Sequence, residues 1–271
     1  MKRIIKVADR EQSIDVIHDD DRLSSPNIEH AAQDARIVYT QTRSILVARE
    51  VLRKNRVIAG IDDMSIKVAY KMLRTQVLQR MKSNDWNTLA ITSPVSGEGK
   101  SLTAINLAIS IAKELNHTVL LVDLDLHNPS IARYFGFGPD LGLCDYLLDD
   151  VPLTDILFTP GVDRLAVLPG GKPLTDSSEL LSSPKMARLA QELKGRYAGR
   201  VVIYDMPPLL ATDDMLAFAP HVDAALLVLQ EGKTRKDELR RSMEMLEVVN
   251  VVGTVLNKAE QFAKAYGYGP K

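Results

Sequence analysis

The sequence predicts an α/β fold, a doubly wound and mostly parallel sheet flanked by helices. Three observations predict it. Short, continuous apolar runs recur along the chain, as in strands buried on both faces. Helical patterns of ten or more residues separate them, which is the alternation of a wound parallel sheet. The third is residues 88–101, TLAITSPVSGEGKS, where an apolar run gives way to a glycine-bearing turn and a helix start.

In chain order, residues 1 to about 35 are polar and charged with little periodicity, and read as a partly disordered arm. Apolar positions return among basic residues from Ile37 to Val57, where a helix is expected, and the arm as a whole is assigned to residues 1–60. Residues 65–82 form an amphipathic pattern: Ile66, Ala69, Tyr70, Leu73, Val77 and Met81 repeat at helical spacing. Its basic face (Lys67, Lys71, Arg74, Arg80) is either a solvated surface or a self-association surface. Trp86 precedes the first strand as a packing residue. Further strands are expected at 118–122, 164–168, 200–204, 224–229 and 251–256, with helices near 102–115, 184–196 and 234–248. The main domain is thus expected over residues 61–260, with a flexible tail over 261–271.

The stretch at 88–101 carries the chemistry. Ser96, Gly97, Glu98 and Gly99 form a turn in which backbone N–H groups can approach a phosphate closely. Lys100, Ser101 and Leu102 then open a helix, whose N-terminus carries partial positive charge. Lys100 adds a full charge, and Ser101 a hydroxyl of the kind that holds magnesium. A strict GxxxxGK[ST] loop would place glycine where this chain has Pro94.

Ligands of such sheets lie beyond the carboxyl ends of the strands. Three aspartates are expected there: Asp123 and Asp125 at the end of TVLLVDLD, and Asp205 at the end of RVVIYD. Carboxylates beside a phosphate loop can hold magnesium or deprotonate a nucleophile. Asn257 ends the last strand, either recognising a nucleotide base or closing a turn. His127 reads as a surface or turn residue, and Lys233 to Arg241 as a solvated helix start or a docking patch.

Composition narrows the rest. The chain has 271 residues, 45% hydrophobic and 25% charged, enough for one main core. A net charge of −1 gives no general attraction to nucleic acid or anionic lipid. Cys144 is the single cysteine, so no internal disulfide forms, as suits a reducing cytoplasm. No apolar run approaches the ~18–20 residues of a membrane span, and the charged start MKRIIKVADREQ does not read as a signal peptide. The tail QFAKAYGYGPK presents Tyr266 and Tyr268 among glycines, as reachable phosphoacceptors.

Together these stretches resemble the bacterial tyrosine autokinases of capsule and exopolysaccharide production, of the P-loop NTPase type. The resemblance covers roughly residues 65–260. It rests on SPVSGEGKS, LLVDLDLHNPSIARYFG and VVIYDMPPLL, and on GLCDYLL, SSELLSSPKM, EGKTRKDELRR and VVGTVLNKAE in the family's order. It implies ATP and Mg2+ as cofactors and phosphoryl transfer to protein tyrosines. Lys100 would contact the phosphates, Ser101 and Asp125 would hold magnesium, and Asp205 would act on it through water. Asp123 would serve as base or orienting group, and Tyr266 and Tyr268 as acceptors in trans. The resemblance also implies self-association and a separate transmembrane polysaccharide chain-length regulator as activating partner, which would bring a cytoplasmic chain to the inner face of the membrane. This chain differs from the family pattern at His127-Asn128, where a basic residue commonly stands. It differs again at Val68, in place of the glutamate of the ring-assembly motif continued by Lys71 and Arg74.

Two other functions share the architecture. A switch ATPase of the partitioning or division-site type would carry a lysine where this chain has Val95. A nucleotide-binding regulator of polysaccharide assembly without kinase activity would fit the short tyrosine tail.

Overall fold

The computed structural model describes residues 5–6 and 42–259, apart from 139 and 198. Tyr266, Tyr268 and most of the N-terminal arm lie outside the described residues. The strands are β1 (Ile5–Lys6), β2 (Arg43–Ser44), β3 (Thr88–Thr92), β4 (Thr118–Asp123), β5 (Phe158–Thr159), β6 (Leu165–Leu168), β7 (Arg200–Asp205), β8 (Ala224–Gln230) and β9 (Asn250–Asn257). They form one sheet in the order β1-β9-β8-β3-β7-β4-β6-β5-β2. The pairs β1–β9 and β5–β6 are antiparallel, and the other pairs are parallel.

The helices are α1 (Arg49–Lys54), α2 (Met64–Ser83), α3 (Lys100–Ala112), α4 (Ile131–Tyr134), α5 (Leu143–Asp149), α6 (Leu153–Ile156), α7 (Ser177–Leu181), α8 (Pro184–Gly195), α9 (Asp214–Phe218) and α10 (Lys236–Met245). Core residues fall into two clusters. Leu89 and Ile91 of β3 pack with α2 and α3, while Ala90 packs with residues of α5, α8 and α9. This is the period-2 alternation of a strand covered on both sides. Helix α3 is apolar nearly all round (Ile105, Leu107, Ala108, Ile109, Ile111), and twelve of its thirteen residues are buried. Helix α8 starts at Pro184, and the Ser183 hydroxyl accepts from the Met186 N–H at 3.1 Å to cap it.

Packed structure begins earlier than the sequence boundary at residue 61. Within the described part of 37–57 the expected helix is α1, and Leu52, Val57 and Ile58 are buried in the core. The Asn106 amide carbonyl accepts from the Ile58 N–H at 2.9 Å, and its NH2 donates to the Arg56 carbonyl at 3.2 Å. The chain just before α2 is therefore tied to α3, which carries Lys100 at its first turn.

Candidate functional site

The sheet register assembles the site. Ile91 of β3 lies opposite Asp205 of β7, and Asp205 lies opposite Asp123 of β4. Three neighbouring parallel strands thus deliver the glycine loop and two carboxylates to one edge, although Asp123 and Asp205 lie 32 and 114 residues after Ile91 in sequence. The loop is tied to its neighbour: the Met206, Leu209 and Leu210 N–H groups donate to the carbonyls of Ile91, Ser93 and Pro94 at 2.9, 2.9 and 3.1 Å.

Gly97 and Gly99 adopt φ values of +82° and +96°, the left-handed region that glycine occupies without strain. Gly99 is needed for space as well, because a Cβ there would come within 2.1 Å of Asn257 Nδ2. The Asn257 amide donates to the Glu98 carbonyl at 2.7 Å, so the end of β9 holds the loop from behind. Lys258 Nζ adds bonds to the Gly97 carbonyl (2.8 Å) and to Gln230 Oε1 (3.0 Å). Glu98, grouped by sequence with the nucleotide-contacting residues, has its side chain fully buried instead. One of its oxygens accepts from the Val95 N–H at 3.2 Å and the other from the Thr234 hydroxyl. The carboxylate thus stitches the loop to the segment after β8, and only the backbone of Glu98 remains to meet a phosphate.

Lys100 is 8% exposed and faces an excess of acid. Its Nζ donates to Asp125 Oδ2 at 2.6 Å, lies 3.2 Å from Ser101 Oγ, and stands 3.6 Å from Asp205 Oδ1. The carboxylates of Asp205 and Asp125 raise its pKa above the ordinary lysine value against the opposing effect of burial. Asp205 is fully buried, and neither of its oxygens has a hydrogen-bond partner among the described residues. Burial raises its pKa and outweighs the nearby ammonium. Asp123 is fixed through Oδ2, which accepts from the Ser130 and Ile131 N–H groups at 2.8 and 2.9 Å, while its buried Oδ1 has no hydrogen-bond partner among the described residues. Burial, reinforced by Asp205, pushes its pKa up to about 7.

A cavity of about 1060 Å³ opens over these groups, with Ser96, Gly97, Gly99, Lys100, Ser101, Leu102, Asp125 and Asn257 all on its wall. Sequence reasoning missed other parts of the wall: Lys54, Asn55 and Arg56 at the end of α1, Tyr70 on α2, and Arg133 and Tyr134 on α4. Nothing local in the sequence marks them, since they reach the cavity only because α1, α2 and α4 pack around α3. His127 lies in the turn after β4, as one of its two readings had it, and is 35% exposed at its side chain. Its Nε2 lies 2.9 Å from Ser177 Oγ, which in turn donates to Asp214 Oδ2 at 2.7 Å. That chain of contacts ties the loop after Asp125 to α7 and α9.

A glycine loop between a parallel strand and a buried helix, a lysine at the helix start and acids on the two adjoining strand tips define a nucleotide-binding P-loop domain. The chain matches the family model of the CobQ/CobB/MinD/ParA nucleotide binding domain over residues 89–269. It is 32% identical over 228 residues to the tyrosine-protein kinase YwqD of Bacillus subtilis, covering 80% of this chain and 94% of YwqD. It is also 32% identical over 215 residues to the putative tyrosine-protein kinase EpsB of Ralstonia nicotianae, covering 78% of this chain but spanning only 28% of that longer protein. Among solved structures, the chimerical protein CapA2B2 superposes with a TM-score of 0.69 at 26% identity, over 80% of this chain and 93% of that one. The kinase domain of the Escherichia coli tyrosine kinase ETK gives 0.65 at 29% identity, over 75% and 80%. The chain belongs to the CobQ/CobB/MinD/ParA nucleotide-binding family and, within it, to the bacterial tyrosine-protein kinases.

Proposed function

We propose that this chain is an ATP-dependent protein tyrosine autokinase that regulates exopolysaccharide or capsule production together with a separate transmembrane chain-length regulator. The observation that carries the reading is the cluster at the tips of β3, β7 and β4, where one buried ammonium meets three carboxylates beside the glycine loop. Phosphoryl transfer demands positioning and charge neutralisation above all; the cluster sets the lysine beside the loop, and its excess of carboxylate would let it hold the divalent cation that completes the neutralisation. Among the described residues no helix is long and apolar enough to cross a membrane, which is compatible with a partner that spans it.

The oxygens fit a magnesium ion. Asp205 offers two buried oxygens without hydrogen-bond partners among the described residues, and Asp125 and the Ser101 hydroxyl lie beside the Lys100 ammonium that it faces. Among the described residues no cluster of three or more His, Cys, Asp or Glu side chains forms an all-protein cage. That suits magnesium, which keeps waters and substrate phosphates among its ligands. Ser101 and Asp125 would hold the ion and Asp205 would act on it through water; when bound, it would neutralise phosphate charge as transfer proceeds.

Lys100 exchanges Asp125 for the nucleotide phosphates, and backbone N–H groups of residues 96–101 cradle them. Asn257 supports that loop through the Glu98 carbonyl. The acceptor phenol oxygen forms its bond to the γ-phosphorus as the bond to the β,γ-bridging oxygen breaks, and ADP departs with that electron pair. Asp123 takes the phenolic proton on Oδ1, the oxygen left unengaged. Tyr266 and Tyr268 are the acceptors, presented in trans by another copy.

The test is to incubate the chain with ATP and magnesium, with and without the cytoplasmic fragment of a co-encoded membrane regulator, and map phosphotyrosine by mass spectrometry. Modification at Tyr266 or Tyr268 that disappears in Lys100→Met is expected. Phosphate release without phosphotyrosine in either condition would replace the kinase reading with a switch ATPase.

A further inference from the structure

The net charge of −1 conceals a local excess of base. Helix α2 carries five basic residues (Lys67, Lys71, Arg74, Arg80 and Lys82) and no acidic one in its 20 residues. Leu73, Val77 and Met81 form its buried face. On the side turned away from them the helical repeat brings Met64, Val68, Lys71, Met72, Thr75 and Lys82 into one band.

That band has two edges of different chemistry. Met64, Val68 and Met72 follow one another at four-residue spacing, Met64 is 55% exposed, and none of the three packs on either core cluster. Along the other edge Lys67 and Lys71 approach Lys113, which follows the last turn of α3. These cations are close enough to act on one another: burial, and then Lys67, Lys71 and Arg74, hold the Lys113 pKa below the ordinary lysine value. Arg74 is held within its own chain, its guanidinium 2.9 Å from Glu114 and donating to the Ser110 carbonyl at 3.1 Å. Glu114 is thereby matched, and among the described residues the ammonium groups of Lys67, Lys71 and Lys113 form no ion pair. Leu115, two residues past Lys113, is 79% exposed.

These features bear on what the face meets. Pairing α2 with α2 of a second copy would set lysine against lysine, since the helix has no acid to answer them. Met64, Val68, Met72, Lys67, Lys71 and Lys113 are all absent from the wall of the nucleotide cavity, so the face is not part of that site. An outward helical ridge matches a plane of headgroups better than it matches a protein's anchoring side chain, which needs a pocket. Short apolar side chains between lysines on long stems can sink while the ammonium groups stay among phosphates.

We propose that the outer face of α2, with Lys113 and Leu115 after α3, docks on an anionic phospholipid surface. Met64, Val68 and Met72 enter the boundary between headgroups and acyl chains, and Lys67, Lys71 and Lys113 lie against the lipid phosphates. The contact goes beyond the kinase reading and does not depend on it. Ser65, Ile66 and Tyr70 of the same helix line the nucleotide cavity, so docking holds that cavity beside the membrane. With a few cations and no acyl chain the attachment is reversible and sensitive to salt, and it adds to a membrane-spanning partner without replacing it.

Vesicle sedimentation with the full chain tests the assignment. The probes are vesicles of phosphatidylcholine alone and of phosphatidylcholine with about one third phosphatidylglycerol, at low salt and at about 0.5 M salt. Binding is expected to the anionic vesicles alone, and to disappear at high salt. The triple variant Lys67→Gln, Lys71→Gln, Lys113→Gln should bind them at least about tenfold more weakly, and Met64→Ser with Val68→Ser about threefold. Both should keep their affinity for a fluorescent ATP analogue, which also shows that they fold. If the triple variant does not fold, Lys71→Gln alone makes the same comparison at an exposed residue, with a loss of about threefold. No binding to either vesicle, or equal binding to both, would overturn the proposal. Undiminished binding by the lysine variants would overturn it too, by moving the contact to another segment. Loss of self-association in the triple variant by light scattering, with no lipid binding by the native chain, would assign the face to a second copy instead.

Discussion

Replacing Asp205 with asparagine should make the nucleotide-free protein more stable while removing its function. One ammonium, Lys100, faces Asp123, Asp125 and Asp205, so with every group ionised the cluster carries +1 against −3. The substitution keeps the shape of residue 205 and brings the balance from −2 to −1. Lys100 keeps its closest partner, Asp125 at 2.6 Å, so no buried charge is orphaned by the change. The substitution gives up the 3.6 Å ion pair between Lys100 and Asp205, but no hydrogen bond of ordinary length among the described residues. Exchanging a buried ionised group for a neutral one of similar volume is often stabilising, here by about 1–3 kcal/mol. For a chain of this size that is a rise of about 2–10 °C in Tm. The sign with pH follows from linkage. The folded-state pKa of Asp205 is raised, so the folded chain holds this proton where the unfolded chain has released it, and the native protein loses stability as pH rises. The advantage of Asp205→Asn should therefore be largest at pH 8 and shrink towards pH 4. Thermal unfolding in EDTA at the two pH values measures it. ATP with magnesium should then raise the Tm of the native chain more than that of the variant. A variant less stable than the native chain at pH 8 in EDTA would refute the reasoning, by showing that Asp205 holds the fold together.

Asp123→Asn tests the neighbouring acid over a defined window. With the folded value at about 7, the gain over the native chain in EDTA should appear as pH rises from about 4 and level off above about 7, reaching a few kcal/mol by urea unfolding. Gly99→Ala should cost about 1–3 kcal/mol and impair nucleotide binding, because φ is +96° and the methyl meets the Asn257 amide. Adding Asn257→Ala removes the collision but not the backbone strain, so the double variant should recover only part of the loss in Tm and in nucleotide affinity.

Much of the molecule is legible in the sequence because its signals are local. Strand β4 reads as buried from TVLLV alone, since only a strand covered on both faces is apolar at every position. The loop is legible because glycine, lysine and serine have fixed positions relative to a helix start, and α3 does begin at Lys100. Strand-end aspartates are legible for the same reason, and the register sets Asp123 and Asp205 side by side. The side chain of Glu98 was not legible. A charged residue in a phosphate loop reads as exposed, and the buried bond that draws this one in reaches Thr234, in a segment 136 residues away.

The sequence by itself determined the wound parallel sheet, the glycine loop and the acids, because each follows from short-range periodicity, backbone conformation or position at a strand end. The tertiary structure decided what those parts do to one another. It set one lysine against three acids, left oxygens of Asp123 and Asp205 without hydrogen-bond partners among the described residues, and closed the loop from behind with Asn257 and Lys258. Electrostatic balance, burial and enclosed volume arise only when distant segments share a neighbourhood, so no single stretch of the chain encodes them.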